Sequence, residues 1–434
     1  MAANDAGRRY WIQTLGCPKN EVDSDKLVGT LVADGYVAAE DPSDADLLVV
    51  NTCAFIGDAR QESIDTVLAL HDVRADDSRL VVTGCMAERY GAELAAALPE
   101  IDLVAGFGRS VVRPAGEASA LGSGGRVVIP VSAAPVSDFD LLNLPRPPSP
   151  RPWAYVKVAE GCDRNCGFCA IPSFRGPQRS RSIDSIIEEV EALDVREIVL
   201  VAQDLAAYGR DQGRGTRDIV PLVRAVSERV DRVRLLYLYP SDLNDALVDV
   251  MCDVGIPYFD LSLQHVSRPL LRRMRRWGDA DRFAARIDAI RTREPEATFR
   301  SNFIVGYPGE TEEDHDELLR FVEETQVDWC GFFSFSPEEG THAMTLDGHV
   351  DAALVADRLA ELTERQDAIT ASRRDALIGR QLRVLVDEPG VARSHREAPE
   401  IDGVVVVPTS LEVGELHDVV VKDAMGPDVE AVSS

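Results

Sequence analysis

The chain has 434 residues, enough for roughly two to four domains with an ample core. Its 46 basic and 74 acidic residues leave a net charge of −28, which repels nucleic acid at long range and attracts basic partners, or else marks a plain solvated acidic surface. The polar start Met1–Tyr10 lacks the apolar core of a signal peptide and no apolar run approaches the ~20 residues of a membrane span, so a soluble cytoplasmic protein with no membrane contact is expected.

In chain order, Arg9–Leu15 reads as a strand and the stretch from Glu21 to Asp34 as a helix. Asp46–Asn51 (DLLVVN) is a buried-strand run, Ala54–Leu70 is helical by its periodicity, Arg79–Thr83 is a strand and Met86–Ala97 a helix. Short apolar runs alternating with amphipathic helices predict a small parallel α/β layer. A Gly/Ser/Ala-rich stretch at 116–125 and the prolines 145, 147, 148, 150 and 152 then predict an extended linker, with a domain boundary near residue 145.

From Trp153 the alternation resumes on a larger scale. Strands are expected at 154–159, 197–202, 233–239, 258–263, 298–305 and 331–335, with helices between most of them, as at 183–193 and 318–324. Six βα units predict a partial barrel, its working residues on the loops after the strands. Residues 351–377 read as one long polar connector helix, and the Val-rich tail 379–434 as a small antiparallel β-barrel.

The eight cysteines stand at 17, 53, 85, 162, 166, 169, 252 and 330. In a large chain of a reducing compartment they point to metal binding or catalysis rather than disulfides. Cys162, Cys166 and Cys169 form C-x₃-C-x₂-C in GCDRNCGFC, after the first barrel strand. Thiolates are the ligands of iron–sulfur clusters, and three of them leave the fourth iron of a cubane open to chelate a small molecule. A zinc loop would want a fourth ligand, and no His or Cys lies near.

This motif resembles that of the radical S-adenosylmethionine (SAM) superfamily, whose open iron binds the amino and carboxylate groups of SAM; Phe168 stands where that superfamily usually has an aromatic residue. Gln203–Asp204 and GYPGET at 306–311 look like the loops that hold SAM, although Thr311 followed by acidic residues is equally a helix cap.

Cys17, Cys53 and Cys85 lie in LGCPKNEVDSD, VNTCAFI and TGCMAERY, each just after an expected strand. One such cysteine would be an ordinary core thiol. Open parallel sheets, however, place ligand sites at the carboxyl ends of their strands, so the three could converge. Together with the loop motif they resemble the methylthiotransferase family, built of an N-terminal cluster domain, a radical SAM barrel and a C-terminal TRAM β-barrel. The resemblance implies a division at 8–125, a linker at 126–150, a barrel with connector helix at 151–375 and TRAM at 376–434. It also implies two 4Fe–4S clusters, one on Cys17, Cys53 and Cys85 and one on the catalytic set Cys162, Cys166 and Cys169. SAM would serve as radical source and methyl donor, and a flavodoxin or ferredoxin as electron donor.

Within the family, GCPKN at 16–20, AEGCD at 159–163, CAIPSFRG at 169–176, RLLYLYP at 234–240 and SPEEGTHA at 336–343 resemble the branch acting on protein twelve of the small ribosomal subunit. That branch places a methylthio group on the β-carbon of one aspartate. The tRNA branch usually has Gln-Met where Pro18-Lys19 stands here, and Ser262 departs from a proline found in many relatives. Independently, residues 376–434 carry 5 Lys and Arg (Arg380, Arg383, Arg393, Arg396, Lys422) against 11 Asp and Glu. A tail of net −6 suits a basic ribosomal protein better than a phosphate backbone, unless one face alone is basic. Nucleic-acid contact is then expected only through the ribosomal subunit.

The alternatives are the same chemistry on a tRNA adenosine, and a non-enzymatic iron–sulfur RNA-binding protein. Arg175, Arg179 and Arg181 after the loop motif could meet substrate or SAM, or form a solvated loop. Cys252 and Cys330 read as core thiols, and His265 as structural at least as readily as catalytic.

Overall fold

The computed structural model describes residues 7–112, 127–128, 140–213 and 217–434. The Gly/Ser/Ala-rich stretch 116–125 and much of the expected linker 126–150 lie outside the described residues. The chain folds into two compact units. The first takes the residues up to Pro147 together with Glu160–Asp163 and Cys169–Gln178; the second takes Pro148–Ala159, Arg164–Phe168 and Arg179–Ser434.

In the first unit, strands β1 (Arg9–Thr14), β2 (Val37–Ala38), β3 (Leu47–Thr52), β4 (Arg79–Gly84), β5 (Leu103–Val104) and β6 (Val127–Val128) form one parallel sheet in the order β2-β1-β3-β4-β5-β6. Helix α1 (Pro18–Ala33) packs Leu27 and Leu31 on one face, against Tyr10, Leu47, Val49 and Val81. Helices α2 (Gly57–Val73) and α3 (Cys85–Ala97) pack Val67, Leu70 and Leu94 on the other, against Leu48, Val50, Leu80 and Val82. Alternate residues of β3 and β4 thus serve opposite faces, which is why both strands read as continuous apolar runs. The order of winding reverses between β1 and β3, and such a switch opens a crevice at the carboxyl ends of the strands.

Residues 140–147 do not hang as an extended linker. The amine of buried Lys26 donates to the carbonyls of Leu142 (3.0 Å) and Leu144 (2.9 Å), Arg146 pairs with Asp25, and Gly29 leaves room for the Pro145 backbone. Prolines mark chain direction locally and say nothing of such tertiary partners.

In the second unit, β7 (Trp153–Lys157) and the short β8 (Ala159–Glu160), shared with the first unit, precede the cysteine motif; α4 (Ile171–Arg175) belongs to the first unit and β9 (Arg179–Ser180) returns the chain to the second. Then follow α5 (Ile183–Leu193), β10 (Glu197–Val201), α6 (Ile219–Ser227), β11 (Arg232–Leu235), α7 (Asp245–Asp253), β12 (Tyr258–Gln264), α8 (Arg268–Arg273), α9 (Ala280–Arg293), β13 (Thr298–Val305), α10 (Glu312–Thr325), β14 (Trp329–Ser334) and α11 (Ala352–Asp375). Strands β7, β10 and β11 form one parallel sheet and β12, β13 and β14 another, joined by a bridge between Leu238 and Leu261. This is the expected partial barrel of six strands. The strand expected over 233–239 ends at Leu235, because Tyr237 takes φ 65° and gives its N–H to the Asp260 carboxylate.

The tail forms a closed barrel of β15 (Gln381–Glu388), β16 (Val391–Arg393), β17 (Val405–Val406), β18 (Leu416–Met425) and β19 (Asp428–Ser433). The barrel was expected to be antiparallel; it is mixed, since β17 pairs with β19 in parallel and so closes the ring. Buried charge holds it to the larger barrel. Glu197 meets Arg234 (2.8 Å) and Arg393 (3.1 Å), and those guanidiniums with Arg232 outweigh burial and hold its carboxyl at about 2. No helix among the described residues is long and apolar enough to cross a membrane.

Candidate functional site

The register of the first sheet decides where three of the cysteines go. Thr14 pairs with Asn51 and Thr52 with Gly84, so β1, β3 and β4 end level with one another. Cys17 caps α1, Cys53 follows β3, and Cys85 opens α3. They meet: a Cβ on Gly16 would stand 3.0 Å from Cys53 Sγ, and Cys85 Sγ lies 3.7 Å from Asn20 Oδ1, one turn beyond Cys17. Helix N-termini favour thiolates, and two of the three thiols sit at one.

Asn20 locks the arrangement. Its Nδ2 donates to the carbonyls of Leu15 (2.9 Å) and Thr52 (3.0 Å), while its own carbonyl accepts from Asn51 Nδ2 (2.8 Å). The ends of β1 and β3 are thereby tied through one buried amide. Glycines make the turns: Gly16 (φ 97°) and Gly84 (φ 87°) precede Cys17 and Cys85 in left-handed backbone that an L side chain would strain. A Cβ at Gly84 would stand 2.6 Å from the Thr52 carbonyl oxygen. Neither Asn20 nor the glycines were singled out from the sequence, although the dipeptide Gly-Cys recurs at 16–17, 84–85 and 161–162 and is the signal that could have found them.

The three thiols differ in how readily they ionise. Burial pushes Cys53 up to about 11, with Cys85 and Cys17 adding to the rise. Burial also raises Cys85 against the pull of Arg175. Burial opposes ionisation of Cys17 too, but Lys19, Arg175 and the N–H groups of Asn20 and Lys19 outweigh it and hold that thiol below its ordinary value.

Glu160–Asp163 and Cys169–Gln178, with Cys162 and Cys169, belong to this first unit. Gly161 (φ 78°) turns the chain into Cys162, whose N–H donates to the Gly176 carbonyl at 3.1 Å. Gln178 N–H donates to Asp163 Oδ1 at 3.0 Å and closes the loop. The expected basic loop divides on inspection. Arg175 is buried against Cys85, Asn20 and Glu160, so it neither meets solvent nor points to a free substrate carboxylate. Arg181, in the second unit, is buried on Glu189.

Cys166 belongs to the second unit. Arg276 donates from Nη1 to its sulfur at 3.2 Å and from Nη2 to the Ser262 carbonyl. That contact uses the backbone of Ser262, whose N–H in turn reaches Leu238 O at 2.9 Å, a bond a proline there could not make. Gly167 is pinned by bonds to Met274 and Ala343. Arg164 pairs with Asp204 and Asp242, and its guanidinium lies 3.9 Å from the Tyr239 ring, with that of Arg276 at 4.3 Å. In GYPGET, Thr311 caps α10 with Asp314 in a reciprocal box, and Glu310 binds Gly306 N–H and Arg358. His265 is fully buried, its Nδ1 accepting from Ser267 N–H at 3.0 Å. Cys252 and Cys330 pack against the barrel core and take no part in either set.

All eight cysteines are free thiols. Among the described residues no group of three or more His, Cys, Asp or Glu side chains is drawn tightly enough to hold a single metal ion. A cubane sets each thiolate on a different iron, so a trio that serves one stands wider than a trio on one ion. The Cys17, Cys53 and Cys85 cradle, all sulfur in its donors and bordered by the Asn20 amide and the Arg175 guanidinium, fits such a cluster and not a compact zinc centre.

Comparison with known proteins adds three family matches: an uncharacterised protein family, UPF0004, over residues 9–106; the radical SAM superfamily over 156–322; and the TRAM domain over 378–433. The chain is 38% identical to the "Ribosomal protein uS12 methylthiotransferase RimO" of Cutibacterium acnes, covering 99% of each chain. It is 41% identical to the protein of that name from Moorella thermoacetica, over 92% of this chain and 93% of the relative, and 41% identical to that from Thermotoga sp. (strain RQ2), over 96% and 97%.

Proposed function

The chain belongs to the ribosomal protein uS12 methylthiotransferase family, and on that premise we propose that it places a methylthio group on the β-carbon of an aspartate of that small-subunit protein. The observation that carries the reading is 38–41% identity over nearly the full length of proteins of that name, joined to two separate three-cysteine sets. In the proposal, Cys17, Cys53 and Cys85 hold one 4Fe–4S cluster and Cys162, Cys166 and Cys169 the other, whose open iron takes SAM. A flavodoxin or ferredoxin would deliver the electrons, and the reaction would run in the cytoplasm. The division of labour follows the modules 8–125, 151–375 and 376–434, with 126–150 between the first two.

When bound, the clusters and SAM supply the radical, sulfur and methyl chemistry that a carbon of no useful acidity requires. The protein's share is placement. Asn20, Gly16 and Gly84 hold the first thiols at level strand ends. Arg276 holds Cys166, and the bond from Cys162 N–H to Gly176 shapes the loop before it. A basic substrate suits the acidic tail: of its five basic side chains, Arg393 and Arg396 are buried, while Arg380 and Lys422 face Glu296 and Glu430. That leaves little to grip a phosphate backbone.

The test is anaerobic. The reconstituted protein is given SAM, a reductant and sulfide, with protein uS12 and bulk tRNA offered in parallel. A methylthio increment on an aspartate peptide is the expected result in the mass spectrum. An increment on a nucleoside instead would overturn the substrate assignment while keeping the chemistry.

A further inference from the structure

The loop that follows Cys169 sends one side chain into the first thiol set. Arg175 donates from Nη2 to Cys85 Sγ at 3.0 Å and to Asn20 Oδ1 at 2.9 Å. From Nη1 it donates to Glu160 Oε1 at 2.8 Å, with Asp23 Oδ2 at 3.6 Å. Its guanidinium lies 4.5 Å from the centre of the Phe107 ring, and its side chain is 3% exposed. All of these partners belong to the first unit. Such burial of a charge is costly unless each donor has a use, and here the two carboxylates engage Nη1 while Nη2 serves the sulfur.

We propose that Arg175 is a positioning residue that fixes the Cys85 thiolate and sets the reduction potential of the N-terminal cluster. This rests on the reading of Cys17, Cys53 and Cys85 as that cluster's ligands. Reduction adds negative charge to a cluster and its thiolates. A guanidinium keeps its charge at every pH the fold survives, and its N–H groups point at the ligand sulfur. Both effects favour the reduced form, and hydrogen bonds to sulfur together with local charge are what protein surroundings use to move such potentials. Removing the guanidinium would also take a positive charge from beside Glu160 and Asp23, which shifts the potential in the same direction. Lysine would keep the charge but not the planar fork that spans Cys85, Asn20 and Glu160.

The experiment uses the full chain with Cys162, Cys166 and Cys169 all replaced by alanine, so that one set alone can load. Iron and sulfide are counted after reconstitution, and the midpoint potential is read by an EPR-monitored titration, for this parent and with Arg175→Gln or Arg175→Lys added. The expected result is iron content equal to the parent, a potential shifted to more negative values in R175Q, and a smaller shift of the same sign in R175K. Equal iron with an unmoved potential in both would overturn the proposal and leave the cluster reading standing. A parent that takes up no iron would remove the three-cysteine reading, and the proposal with it. Should R175Q load poorly, R175K decides: a lowered potential supports the assignment and an unmoved one overturns it.

Discussion

The six cysteines of the two sets are presented in opposite ways. Cys162, Cys166 and Cys169 lie within eight residues of one loop, where chain connectivity already keeps them near one another, with the Gly161 turn and the bond from Cys162 N–H to the Gly176 carbonyl shaping its start. Cys17, Cys53 and Cys85 are brought in from three strands of a parallel sheet, and their meeting depends on register, on Asn20 and on glycine turns. A loop set can be written into almost any fold, whereas a strand-end set exists only if the whole sheet is right. The first set should therefore be robust to changes in its surroundings, and the second fragile.

The largest effect that tests this contrast is the removal of single thiols. Cys17→Ala, Cys53→Ala or Cys85→Ala should abolish the methylthio product while SAM is still cleaved to 5′-deoxyadenosine under reducing conditions. Cys162→Ala, Cys166→Ala or Cys169→Ala should abolish both. Chromatography of the anaerobic mixture reads the two products side by side. Methylthio product from Cys17→Ala would end the two-cluster model.

Next comes the backbone. A Cβ at Gly84 would stand 2.3 Å from Asn51 Oδ1 and 2.6 Å from the Thr52 oxygen, in a turn with φ 87°. Gly84→Ala should cost about 3 kcal/mol from strain and overpacking together, and should lower iron uptake by the strand-end set. Gly176 has φ 73° but nothing within 4 Å of an added Cβ. There the cost should be about 1 kcal/mol, from backbone conformation alone. Urea midpoints of the metal-free variants check both figures. Equal losses at the two positions would deny that close packing at the Gly84 turn adds to the cost of its backbone conformation.

The same contrast explains what could be read in advance. C-x₃-C-x₂-C is a local pattern, so its three cysteines stood out from spacing. The strand-end cysteines were reachable because each follows an apolar run, yet their convergence needed the strand order of a doubly wound sheet. Arg175 was not reachable. An arginine beside a cysteine motif reads as a contact to substrate or SAM or as part of a solvated loop, and only the fold shows that it is buried between Asp23 and Cys85. Tyr237 is a similar case: its strand-like neighbours hide a left-handed residue held by the distant Asp260 carboxylate. The parallel pairing of β17 with β19 was missed because two-residue strands leave no pattern to read.

The last expected effect concerns acid, and it belongs to the second unit. Burial holds the His265 imidazole neutral, its pKa lowered to about 4, with the nearby Asp314 carboxylate opposing and His315 and Arg358 adding to the fall. His395 is likewise lowered to about 4, by burial and by Arg396. Above the unfolded value of about 6.5 neither state takes up a proton and the full stability is present. Below it the unfolded chain gains protons that the folded chain refuses, so stability is lost as pH falls from about 6.5 toward 4. At pH 5 each histidine accounts for a loss of about 2 kcal/mol relative to pH 7.5. His265→Asn keeps an acceptor for the Ser267 N–H and removes the titrating group, so its urea midpoint should fall less than the parent's over that interval. Parallel losses in parent and variant would show that acid acts elsewhere, and the barrel would lose its claim to be the acid-sensitive region.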